Sequence, residues 1–151
     1  MVVFRQKMVS WVTASSFIAL FFYSSLGSAM WAKMTDEQLI GKASLIINAE
    51  LIGTTEIRTP DGHARFLGVL LIEKTYKGDA GLTVVLLALP HPNGPRSSSD
   101  VFYETGQKGL WFLQPNRGFD TGIYTAGTPE SFWSTDDEKR LVDGLSDLNQ
   151  K

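Results

Sequence analysis

The residues best suited to chemistry are few and scattered. His63 stands two positions after Asp61, a spacing from which an imidazole and a carboxylate form a general-base pair or start a metal site. The other histidine, His91, lies far along the chain between two prolines. With only two histidines, far apart in the sequence, and no cysteine, His63 reads as a polar turn residue. Ser97-Ser98-Ser99 supply hydroxyls, but no Gly-x-Ser-x-Gly elbow surrounds them and no base is positioned by the sequence. Asp136-Asp137-Glu138 have the look of paired carboxylates. They stand directly ahead of Leu141, Val142, Leu145 and Leu148 at helical spacing, where Thr135 and Glu138 form a capping-box pattern and acids suit the positive helix end. No catalytic residue, metal or cofactor is indicated, and the chain reads as non-catalytic.

Binding is better served than catalysis. Phe102, Tyr103, Trp111, Phe112, Phe119, Tyr124, Phe132 and Trp133 crowd the last third of the chain. Neighbouring strand residues point to opposite faces, so one of Trp111 and Phe112 is expected outside the sheet unless the C-terminal helix covers it. Exposed Tyr103, Trp111 and Phe119 beside Asn116 and Arg117 would stack on a sugar ring or anchor a protein partner. A second surface is the stretch from Pro90 to Asp100, where Pro90, Pro92 and Pro95 stiffen an exposed loop carrying His91, Asn93 and Arg96.

The elements that must position these residues are mainly strands. Thr35 and Gln38 have capping-box spacing and open a short helix with Leu39, Ile40 and Ala43 on its apolar side, expected to pack across one end of the domain. From Leu45 the period becomes two, with Ile47, Ala49, Leu51 and Ile57 alternating with polar residues: a strand with one wet face. Pro60-Asp61-Gly62 is turn chemistry and predicts an antiparallel return over Phe66 to Tyr76, apolar on both faces, with Gly68 where a coiled strand bends. After a turn at Lys77 to Gly81 come Leu82 to Leu89, then shorter candidates at Val101-Phe102-Tyr103, Leu110 to Leu113 and Gly122 to Ala126. The last element is an amphipathic helix.

The first 29 residues are of a different kind. Arg5 and Lys7 precede a run with no charge from Met8 to Ala32, and Gly27-Ser28-Ala29 sets small residues at the −3 and −1 positions of a cleavage site after Ala29. Residues 1–29 are therefore expected to be a signal peptide, the alternative being an uncleaved membrane anchor. Residues 30–151 form one domain that works outside the cytoplasm, periplasmic or secreted. The full chain of 151 residues has 14 lysines and arginines against 16 acids, and losing Arg5 and Lys7 doubles the acidic excess. Its basic residues are scattered singly, which excludes a nucleic-acid partner and disfavours an anionic membrane, leaving the N-terminal segment, where it stays uncleaved, as the membrane contact. With no cysteine, an exported domain must be stable through its core alone, and thiol chemistry is absent.

Five or six antiparallel strands with a coiled central hairpin and a helix at each end imply a small OB-like β-barrel; a small β-sandwich is the alternative. Ala43-Ser44-Leu45-Ile46-Ile47, Tyr76-Lys77-Gly78, and Gly106 with Leu110-Trp111-Phe112-Leu113 occur in an order that resembles secreted OB-fold modules of the netrin and tissue-inhibitor-of-metalloproteinase type, and bacterial exported proteins like them, over Ala43 to Tyr124. The resemblance implies an inhibitor or adaptor that binds an extracytoplasmic protein through its barrel rim. The metalloproteinase inhibitors chelate zinc with an N-terminal cysteine, whereas cleavage here exposes Met30, so that mechanism is not implied. The alternative function is a carbohydrate-binding or cell-wall-binding domain, with a glycan as ligand.

Overall fold

The computed structural model describes residues 33–148 apart from 61, 80, 82 and 118–121. The leader expected over 1–29, with Asp61 and Phe119, thus lies outside the described residues. Thr35 caps α1 (Asp36–Lys42): its hydroxyl accepts from the Gln38 N–H, and the Gln38 side chain accepts from the Thr35 N–H. Leu39 and Ile40 are buried beneath it.

The alternating run becomes β1 (Leu45–Arg58) and returns through Gly62, at φ 85°, as antiparallel β2 (Ala64–Lys77). A register shift in this hairpin lies between Leu51 and Gly53, opposite Leu70 and Val69. Next to it is Gly68, where an added Cβ would lie 2.7 Å from Leu51 Cδ1 and 3.0 Å from Leu89 Cδ1. Four further strands follow: β3 (Val84–Leu89), β4 (Lys108–Pro115), β5 (Ile123–Thr125) and β6 (Phe132–Trp133). Their order is β1-β2-β3-β5-β4-β6, and β1 also pairs with β4, from Leu45 opposite Leu113 to Glu50 opposite Lys108.

The sheet is mixed rather than antiparallel throughout, because β3 and β5 run parallel at Leu86 opposite Ile123 and Leu87 opposite Tyr124. Topology requires this: five strands whose pairings return to the first cannot all alternate in direction, so one pair must be parallel. One further expectation is corrected. Val101-Phe102-Tyr103 is not a strand, and the sixth strand is instead Phe132–Trp133, bonded to β4. Gly109 permits that approach, since a Cβ there would come within 2.3 Å of the Trp133 carbonyl oxygen.

Each face of the sheet has its own core. Leu45, Ile47, Ala49, Leu51, Leu70, Val85, Leu87, Trp111, Leu113 and Ala126 form the inner cluster. Ile46, Leu110, Phe112 and Trp133 point the other way and are covered by Leu39 and Ile40 of α1 and Leu141 of α2 (Glu138–Leu148). Trp111 and Phe112 therefore face opposite sides and are both buried, at 0 % and 2 % exposure, because the two helices cover the Phe112 face of β4. A short 3-10 turn, Thr135–Asp137, leads into α2 and is capped by Ser134, whose hydroxyl accepts from the Asp136 N–H. The capping box expected between Thr135 and Glu138 is replaced by this cap. No helix among the described residues is long and apolar enough to cross a membrane.

Candidate functional site

The loop from Pro90 to Asp100 follows β3 and is built from two turns. In the first, the Gly94 N–H bonds to the His91 carbonyl at 3.0 Å and the Asn93 N–H to His91 Nδ1 at 3.2 Å. In the second, the Ser97 N–H donates to the Asp100 carboxylate at 2.7 Å and the Asp100 N–H to the Ser97 carbonyl at 3.1 Å. The serines are turn-building groups: Ser97 Oγ lies 2.8 Å from Ser99 Oγ, and the Ser99 N–H donates to Ser97 Oγ at 3.3 Å.

His91 ties this loop to the β1–β2 hairpin. Its Nδ1 accepts from Asn93, so in the neutral ring Nε2 carries the proton and donates it to Glu56 Oε2 at 3.2 Å. Glu56 is opposite Phe66 on β2, and the Phe66 and His91 rings lie 6.0 Å apart, tilted. At the far side of the loop the Arg96 guanidinium sits 5.4 Å from the centre of the Phe102 ring, which is 49 % exposed. The loop thus makes two separate contacts, His91 with Glu56 and Phe66 and Arg96 with Phe102, and Asn93 is exposed.

The other residues nominated from sequence are elsewhere. Trp111 is fully buried and its indole N–H donates to the Ala49 carbonyl at 2.9 Å, so it belongs to the inner core and not to a contact surface. Tyr103 packs edge-on against Trp111, ring centres 4.9 Å apart, and its hydroxyl donates toward the carbonyls of Ala126 at 3.2 Å and Thr128 at 3.4 Å. Burial, followed by the nearby Glu130 charge, pushes its phenol well above the usual tyrosine range. An aromatic platform of Tyr103 and Trp111 is therefore not formed: strand alternation turns Trp111 inward and Tyr103 fills the space beside it. Asn116 and Arg117 occupy the β4–β5 connection, where the Asn116 N–H bonds to the Ile123 carbonyl at 2.9 Å. Ile123 is level with Leu86 near the start of β3, whereas His91 follows its end, so the two polar groups are not brought together.

Glu56, Phe66 and Phe102 were missed as site residues in the sequence. The signal for Glu56 is its place on the wet phase of the β1 alternation, but nothing local couples it to a histidine 35 residues away. His63 stands in the hairpin turn, its carbonyl accepting from the Thr59 N–H and hydroxyl.

A second charged group joins the sheet to the helices. Glu138 Oε1 accepts from both Lys74 Nζ and the Tyr76 hydroxyl at 2.6 Å. These two bonds, that from Lys74 foremost, hold the Glu138 carboxyl below the usual range, and Glu138 raises Lys74 in turn. Arg140 of α2 makes a forked ion pair with Asp36 of α1 and stacks 4.3 Å from the centre of the Trp133 ring. Both are clasps that hold helices to the sheet or to each other. A cavity of about 110 Å³ beside Phe112 carries no titratable group, and its Thr128 and Ser131 hydroxyls bond to each other at 3.0 Å. Among the described residues no group of three or more histidine, aspartate or glutamate side chains is disposed to hold a metal. Compared with known families and curated proteins, the chain matches no family model and no curated sequence.

Proposed function

We propose that this chain is an exported, non-catalytic protein-interaction module, an inhibitor or adaptor, whose contact surface is the rim of a closed OB-like barrel. The cyclic pairing β1-β2-β3-β5-β4-β1 supports the barrel, with the Pro90 to Asp100 loop standing where such folds usually carry a helix. The observation that carries the function is the loop's preorganisation. His91 anchors one end to Glu56, and Arg96 stacks at the other on an exposed Phe102, so an aromatic and a cation are presented at little further entropic cost. A protein partner is favoured over a glycan because the aromatics that would stack on sugars, Trp111 and Tyr103, are turned into the core.

The test is affinity capture from cross-linked cells with the tagged domain and its R96E and F102A variants. One extracytoplasmic protein held in near-equal amount by the wild type and lost from both variants, with unchanged circular dichroism, supports the reading. Equal recovery by all three removes the loop from the contact surface.

A further inference from the structure

Among the described residues, the second half of β1 is a bare edge. β4 covers β1 only as far as Glu50, and the last bonds on that side are at Leu51, whose N–H donates to the Gln107 carbonyl and whose carbonyl accepts from the Gly106 N–H. Beyond Leu51, β1 pairs with β2 alone among the described residues, and Thr54 to Arg58 are all exposed. The Thr59 N–H bonds across the turn to the His63 carbonyl. Antiparallel strands alternate in bonding direction, so Ile57 and Thr55 also aim their backbone groups at β2, while Thr54, Glu56 and Arg58 aim theirs at the open side. Such a row is a template for another strand.

The edge is complementary to itself. With a second copy laid antiparallel about a two-fold axis through Ile57, Glu56 faces Arg58 twice on one face of the extended sheet, and Ile57 meets Ile57 on the other. An axis through Glu56 would set the two Glu56 carboxylates against each other. An axis through Thr55 would pair Glu56 with Thr54 and Arg58 with Ile52, forgoing both ion pairs. In the first register the paired stretch runs from Thr55 to the end of β1, since the chain turns away at Thr59 to Gly62, and it stays clear of Leu51, where Gly106 and Gln107 close the edge.

We propose that two copies of this chain associate by antiparallel pairing of their β1 edges, Glu56 opposite Arg58. The overlap is far smaller than a standard interface, so association is concentration-dependent and weak. The proposal rests on the edge and not on Arg96 or Phe102; Glu56 also holds His91, and R58E, which leaves that bond in place, keeps the two readings distinguishable.

The chain has no cysteine, so a single introduced thiol reports the register without interference. In the proposed pairing the two Ile57 Cα atoms are about 4.5 Å apart, within disulfide reach. The two Thr55 positions are separated by roughly 13 Å along the strands. Mild oxidation is expected to convert I57C to a covalent dimer and to leave T55C monomeric. By sedimentation, E56R and R58E are each expected to lose self-association by about tenfold or more, since each sets like charges opposite each other. Mixed in equal amounts they are expected to associate with each other, because every facing pair is then opposite in sign. The mixing arm needs no introduced cysteine, and unchanged circular dichroism shows that the charge variants fold. Equal cross-linking of I57C and T55C, or a mixture that stays as monomeric as its components, overturns the proposal.

Discussion

Replacing Trp111 by phenylalanine separates an inner-core residue from a contact residue. The indole is fully buried, and its N–H reaches the carbonyl of Ala49, 62 residues away, at 2.9 Å. Phenylalanine removes that donor, at a net cost of ~1 kcal/mol for a buried hydrogen bond. It also removes three ring atoms from a packed site, for a further ~1–2 kcal/mol. The edge-on contacts to Tyr103 and Phe132, at 4.9 Å and 4.8 Å between ring centres, are largely retained by the smaller ring. W111F is thus expected to lose about 2–3 kcal/mol in urea unfolding with an unchanged m-value, and W111A about 3–5 kcal/mol. Phe102, half exposed on the rim, is the control: F102A is expected to stay within about 0.5 kcal/mol of wild type. A W111F protein as stable as wild type would refute the inner-core assignment and return Trp111 to the surface.

Three further outcomes follow from the geometry. G109A forces a Cβ against the Trp133 carbonyl and the Phe132 ring, so β6 must move away from β4 at a cost of about 1–3 kcal/mol, read by thermal unfolding. For Glu138 the folded carboxyl titrates below its unfolded value, so its contribution is complete above the usual glutamate pKa and is lost as pH falls through the depressed value. Unfolding of the wild type should therefore show an acid-side loss that E138Q lacks, and parallel profiles below pH 5 would count against the clasp. H91A releases the loop from Glu56, and trypsin is expected to cut after Arg96 several-fold faster than in wild type, measured under native conditions.

What the sequence could carry was whatever is encoded within a few residues. The Thr35 capping box, the alternation that became β1 and the Gly62 turn that returned it as β2 all formed where their spacing implied. Composition alone misled at Val101-Phe102-Tyr103, which has strand-forming residues but meets no partner strand, since Gly106 and Gln107 already hold the β1 edge at Leu51 and Tyr103 is drawn inward by the Trp111 ring. Phe132–Trp133 is too short to show a period, and it is a strand because Gly109 lets its backbone close on β4. Glu138 reads locally as a cap; its actual partners lie 64 and 62 residues back, on β2. The candidate rim has the same character. His91 and Arg96 were visible as exposed residues of a proline-stiffened loop, whereas Glu56 and Phe66 join them only because β2 lies between β1 and β3. A contact surface assembled in this way depends on strand order. A change that shifts the register of β1 against β2 should therefore disable the rim without touching any residue in it.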